Sequence, residues 1–405
     1  MTEDARGARS SLREVFTIFL RLGATCFGGP IAHLSYFRSE FVERRAWLSD
    51  EAYADIVAFC QFLPGPASSQ VATILGMTRA GVLGGFAAWL AFTLPSAALL
   101  LLFAQGVRGD AAIAHSPALH GLKIVAVAVV AQAVWSMGRT LCPDRARATL
   151  AVAAAALVLA FPSTLGQLGV IAAGACIGWR WLGDEAPQAG APLPSCGFPR
   201  AAALVSLAGF ALLLLFLPLL AAATRDHGLA LFAVFFRSGA LVFGGGHVVL
   251  PLLQQALVPQ GWIGEDVFLA GYGAAQAIPG PLFAFSAYLG AAMGPEPNGV
   301  AGAALCLVAI YLPSFLLLFG ALPFWETLRR HTAARAAQKG VNAAVVGLLL
   351  AAFYTPVWTS AIAEPRDFAQ ALIAFLLLVA WRAPAWAVVL FGATAAALLA
   401  STAPA

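Results

Sequence analysis

Two arginines interrupt strongly apolar runs: Arg21 in "FTIFLRLGATCFGG" (16–29) and Arg237 in "FAVFFRSGALVFGG" (232–245). A guanidinium placed at the centre of a bilayer costs about 2.5 kcal/mol on insertion scales and far more in simulation, so such groups usually line a pathway. Arg21 is also close enough to one end of its segment to snorkel toward headgroups. A planar, permanently charged fork suits an oxyanion. Each arginine is followed by a helix breaker, Gly28-Gly29-Pro30 in one run and Gly244-Gly245-Gly246 in the other. A second pair of breakers, Pro64-Gly65-Pro66 and Pro279-Gly280-Pro281, closes "QFLPGP" (61–66) and "QAIPGP" (276–281). Proline removes a backbone donor and clashes with the preceding turn, but it is favoured at the start of a new helix. A half-helix starting at such a point turns unpaired amides and its positive dipole end toward a solute, an arrangement that binds anions. The plainer alternative is a proline kink satisfied by neighbouring helices.

Further donors flank the breakers. Gln61 and Gln276 stand one turn before them, and Ser68 and Ser69 follow the first, where the second has Phe283 and Ala284. The two copies are therefore unequal, the first being better equipped for a polar ligand. Asp55, His33 and His247 are the candidates for carrying a coupled proton. The six cysteines include no Cys-x-x-Cys pair and no cluster with histidine, so neither a disulfide framework nor a metal site is expected, and no cofactor.

The elements that must position these groups follow from composition. Of 405 residues, 61% are hydrophobic and 10% charged, against about 25% charged in a soluble domain, which excludes a soluble or nucleic-acid-binding protein. Apolar runs near the length of a bilayer crossing recur throughout. The expectation is an all-α polytopic membrane protein of about 13 transmembrane segments, arranged as two inverted-topology repeats with broken or re-entrant helices. Within 16–29 and 232–245 eight of 14 positions agree, and "AGVLGGFAAWLAFTLPS" (80–96) returns as "NGVAGAALCLVAIYLPS" (298–314). The repeats are read as 1–182 and 228–405, separated over 183–227 by a Pro-rich linker and one unmatched helix. Six segments per repeat plus that helix turn the second copy upside down. The positive-inside rule supports this, placing most Arg and Lys on the side of the N-terminus. Residues 36–52 disagree: Arg38, Arg44 and Arg45 fall on the far side. Interleaved acids there suggest a lid instead.

The blocks "FxRxGxxxFGGP" and "PGP", present twice, with "LPS" ending the third segment, resemble the chromate ion transporter family in its long, two-domain bacterial form. The resemblance implies a multi-pass inner-membrane exporter of chromate, driven by the membrane potential or a proton gradient, that confers resistance. Its signature positions fall on Arg21, Gly23, Phe27, Gly28, Gly29, Pro30, Gln61, Pro64, Gly65 and Pro66. In the second copy they fall on Arg237, Gly239, Phe243, Gly244, Gly245, Gln276, Pro279, Gly280 and Pro281. The corresponding expectation is one midplane site, ringed by Arg21, Arg237 and the half-helix amides and exposed by rocking of the two halves. A sulfate-like carrier of either direction and a passive channel are the competing transport readings. A membrane enzyme or lipid-carrier translocase is the alternative of another class. Lipid is the expected surrounding, and a homo-oligomer is compatible with the sequence.

Overall fold

The computed structural model describes residues 10–109, 116–183 and 198–402, all helices and connections, with no strand among them. In the first repeat α1 (Leu12–Thr25), α2 (Gly29–Arg38), α3 (Asp50–Phe62), α4 (Ala67–Gly109), α5 (Pro117–Leu141), α6 (Arg145–Ala160) and α7 (Thr164–Trp181) follow in order. A connecting helix α8 (Arg200–Thr224) leads to the second repeat. There α9 (His227–Ala240), α10 (Val249–Leu257), α11 (Glu265–Ala277) and α12 (Phe285–Ala292) match α1 to the first part of α4. The rest of α4 is matched by α13 (Gly299–Ala321), which a short α14 (Trp325–Leu328) follows. Then α15 (Thr332–Ala352), α16 (Thr359–Ala361), α17 (Pro365–Val379) and α18 (Ala385–Thr402) complete the chain. Side-chain caps set many of the starts: Ser11, Ser49, Ser116, Asp144, Ser163 and Asp226 each accept from an amide of the first turn. Most of the 183–199 linker lies outside the described residues, as does Cys196.

Five stretches are long and apolar enough to cross a bilayer: Ala67–Arg108, Pro117–Leu141, Arg200–Thr224, Gly299–Leu328 and Thr332–Ala361. The first turns back on itself at Ala80 and Gly81, where the backbone leaves helical values and Gly76 meets Gly84, so its two parts are separate helices. The first two apolar segments of each repeat take another course and double back at their breakers. At 14 residues, α1 is about 21 Å long, short of the roughly 30 Å hydrocarbon core. It packs against α2 and the turn that continues it: Phe19 lies on Phe37 and Phe41, and Glu14 at the start of α1 pairs with Arg45 just beyond that turn at 3.6 Å. The next pair behaves alike, since Arg79 lies over the Trp47 ring at 4.9 Å and its carbonyl accepts from the Ser10 amide. In the second repeat Tyr288 of α12 donates to the Val267 carbonyl near the start of α11. Residues 10, 47 and 79 therefore share one face of the protein, called here the N-terminal face. This removes the discrepancy at residues 36–52: Arg38, Arg44 and Arg45 join the arginine-rich side. Their charges are paired, Arg38 with Glu43 and Asp50, Arg44 and Arg45 with Glu40. Hydrogen bonding from Arg38 holds the Asp50 carboxyl below its ordinary range.

The second repeat is inverted. Phe86 of α4 packs on Phe315 and Phe319 of α13, and Trp89 on Tyr311 and Phe315. One number falls as the other rises, so corresponding helices cross antiparallel, as an in-plane two-fold axis requires. The copies are also interlocked. The first repeat's α5 packs against α17 and α18 of the second, with Gly121 against the Gly392 backbone and His120 3.1 Å from Asp367. Conversely α15 packs on α6 and α7, where Gly340 meets Gly174 and Gly178. Helices of one repeat thus pack into the other, and the two sequence repeats are not separately packed units.

Candidate functional site

The breakers meet in crossed pairs. The Gly65 amide donates to the Val242 carbonyl at 2.7 Å, and the Gly280 amide donates to the Cys26 carbonyl at 2.9 Å. Each proline-glycine break thus closes on the glycine break of the opposite repeat, and one expected free donor is used internally in each copy. The space is too tight for a side chain: a Cβ on Gly65 or Gly280 would lie 2.8 Å from the hydroxyl of Ser314 or Ser96. These are the serines of the two "LPS" blocks. Gln70 ties the first crossing by donating to the Pro64 carbonyl and to Ser314, both at 2.9 Å.

Cavities among the described residues bring several of these candidates together. One of about 270 Å³ is built from both repeats. Phe27, Gly28, Gly29 and Pro30 line it from the first, with Tyr36 of α2 and Gln132 of α5; His247, Gln276, Gly280 and Arg382 come from the second. Gly28 and Gly29 have φ of +97° and +75°, left-handed values that an L side chain resists. They open α2 without a side-chain cap, and nothing lies within 4 Å of where a Gly29 Cβ would stand. Among the described residues Gln276 Nε2 has no hydrogen-bond partner. Arg382 sits at the tip between α17 and α18, where φ of +52° is unusual for a non-glycine residue. The turn is closed by the Trp381 and Ala383 amides donating to Leu376 and Leu377. No acid lines this cavity, and among the described residues no carboxylate pairs with Arg382.

The arginines singled out by the repeat do not reach this cavity and do not meet each other, contrary to the expectation of a shared ring. Arg21 is exposed along a face with Thr17 and Thr25 and lines a cavity of about 320 Å³ together with Tyr36, Ser39, Glu40 and Arg45. Arg237 is half-buried in a space of about 10 Å³ with Thr164, Gln167, Leu168, Leu241 and Leu252. Four lining positions correspond: Arg21, Leu22, Thr25 and Tyr36 against Arg237, Ser238, Leu241 and Leu252. These are the same place in two inverted copies, so they belong to opposite faces.

The remaining candidates divide in the same way. His33 is fully buried, its Nδ1 3.4 Å from the Ser68 hydroxyl, while Ser69 lies 3.4 Å from Tyr311. Asp55 faces Arg329 at 3.6 Å, an ion pair at the N-terminal face. The Gln61 carbonyl accepts from Gln338. Pro64, Pro66, Pro279 and Pro281 shape the crossings, and Gly244 and Gly245 lie against Met137 and Leu141. Of the proton candidates only His247 lines the central cavity, with Nδ1 2.8 Å from the Tyr272 hydroxyl. Sequence reasoning missed Arg382, Gln132 and Tyr36. The available signal for Arg382 was its place between two short apolar segments, beside Pro384.

Comparison with known proteins agrees with the repeat and its blocks. The sequence profile of the chromate transporter family matches residues 13–179 and 229–397, one match per repeat. A chromate transport protein of Pseudomonas aeruginosa is 28% identical over 86% of this chain and 82% of its own length. Another, from Cupriavidus metallidurans, is 26% identical over 91% and 88%, and a probable chromate transport protein of Synechococcus elongatus 27% over 84% of each. No solved structure matches. With both profile matches covering the helices that build the crossings and the central cavity, this multi-pass membrane protein belongs to the chromate transporter family.

Proposed function

We propose that the protein exports chromate from the cytoplasm across the inner membrane as a secondary transporter, conferring resistance, and that the central cavity is where the dianion is held. The observation that carries this is the coincidence, in one cavity with no acid among its described lining residues, of Arg382, the unpartnered Gln276 amide and the glycine turn that is open at Gly29. A dianion cannot enter low dielectric without compensating charge and donors. Arg382 would supply the charge, Gln276 and Gln132 amide hydrogens, and the first turn of α2 its backbone amides and dipole end. His247, against Tyr272 and on the cavity wall, is the group placed to exchange a proton as the anion binds or leaves. The larger outer cavity, around Arg21, lies on the arginine-rich face, which the positive-inside rule assigns to the cytoplasm, and this favours export. Sulfate has the same shape and charge and is the natural competitor.

The test is chromate flux into inverted proteoliposomes, with sulfate as competitor and with an imposed potential or pH gradient. Arg382→Gln is expected to reduce the rate at least tenfold, because a charge-assisted bond is worth about 1.5–3 kcal/mol. Arg382→Lys should recover part of it. Full rates for both Arg382→Gln and Gln276→Ala in well-folded protein would overturn the assignment.

A further inference from the structure

We propose that the Arg21 cavity is a second anion site, an antechamber on the N-terminal face, and that Tyr36 is the partition between it and the central cavity. The proposal rests on the central-cavity reading and adds a second station to it. Tyr36 is a lining residue of both cavities, so the two adjoin at this partly exposed residue. The antechamber is large enough for a tetrahedral dianion with water around it: it holds about 320 Å³, and each water needs about 10–15 Å³ of such space. Its polar lining is Thr17, Arg21, Thr25, Ser39, Glu40 and Arg45. Glu40, its acid, is engaged by Arg44 at 3.1 Å and Arg45 at 2.6 Å. Arg21 has no ion-pair partner among the described residues and is the cation left to receive an anion.

The inverted copy supplies the control. The position of Tyr36 is taken there by Leu252 and that of Thr25 by Leu241, and α7 fills the space with Thr164, Gln167 and Leu168. The pathway is thus open beside Arg21 and closed beside Arg237. An anion arriving from the N-terminal face meets Arg21 first and must pass the Tyr36 ring, whose hydroxyl can hydrogen-bond an oxyanion in transit. A residue at such a station should govern capture at low concentration and leave the filled-site rate alone.

Initial chromate uptake by inverted proteoliposomes separates the stations. Arg21→Gln is expected to raise the half-saturating chromate concentration about tenfold while the plateau rate stays within twofold. Arg21→Lys should restore most of the affinity. Arg382→Gln, by contrast, should lower the plateau itself. Tyr36→Ala is expected to increase downhill chromate leak severalfold, with Tyr36→Phe keeping the barrier. If Arg21→Gln depresses the plateau as Arg382→Gln does, or changes neither parameter, or if Tyr36→Ala leaves the leak at the wild-type level, the antechamber is wrong and the central site stands. If Arg382→Gln transports normally while Arg21→Gln shifts half-saturation, the central assignment fails and the Arg21 station survives. Detergent-extracted yield and elution profile guard against a folding defect, and the lysine and phenylalanine variants repeat the test with the fold preserved.

Discussion

The glycine breaks of the two repeats are written with nearly the same letters and end in different surroundings. At the first, Gly29 faces open space and the chain enters α2 through Pro30. At the second, the matching Gly245 has Met137 Sδ 3.8 Å from where its Cβ would be, and the chain continues as a 3-10 turn over Gly246–Val248. Gly244 is crowded by Leu141 of the opposite repeat at 3.0 Å, where its counterpart Gly28 meets only Ala32 of its own helix. The arginines differ likewise, one beside a roomy cavity and the other half-buried in a narrow space that α7 helps to fill. A duplicated motif therefore does not duplicate a site. What a break can do depends on which helix of the opposite repeat packs over it, and here α5 covers one break with apolar side chains at its end while offering Gln132 to the other.

That contrast can be broken most forcefully at the crossings. Gly280→Val would put a branched side chain on a φ of +100°, starting 2.8 Å from Ser96 Oγ and 3.2 Å from the Gly23 carbonyl. The expected result is loss of extractable folded protein. Gly29→Ala, with no steric obstacle, should cost only the left-handed penalty of about 1–2 kcal/mol and leave a folded protein with slower transport. Equal yields for the two would contradict the crossed geometry. Next in size, Leu141→Ala should lower the melting temperature through a cavity cost of about 2–5 kcal/mol, while the half-saturating chromate concentration stays unchanged. A transport defect as deep as that of Arg382→Gln would instead put the second break on the pathway. The smallest effect is expected at Ser68→Ala, which removes the 3.4 Å contact to His33 and should cost under about 1 kcal/mol. Transport falling more than twofold would mean that Ser68 reaches the anion.

The sequence carried the breaks, the repeat and its inversion, because prolines, glycines and arginines at fixed spacing survive any packing. It did not carry direction. An apolar run with a break in its middle has the same hydropathy whether it continues across the bilayer or returns, so hydropathy counts the α1–α2 and α3–α4 hairpins as crossings even where the breakers point to re-entrant helices. Once the hairpins are folded back, the three arginines at 38, 44 and 45 no longer contradict the positive-inside rule. Nor could spacing reveal that Arg21 and Arg237 occupy opposite faces, since identical positions in inverted copies are separated by the symmetry that relates them. Arg382 looked like an ordinary loop charge because the tip that carries it is assembled into the cavity only by the exchange of α17 and α18 onto α5.

The two crossed amide bonds, Gly65 to Val242 and Gly280 to Cys26, act as a pair of pins on either side of one pivot. Drawing a hairpin away from the pivot on one surface pulls through its pin on a hairpin that enters from the other. Widening both ends together would strip both pins and leave buried carbonyls bare. The linkage therefore opposes parting at both surfaces at once, since each carbonyl that lost its pin would be left unsatisfied away from water.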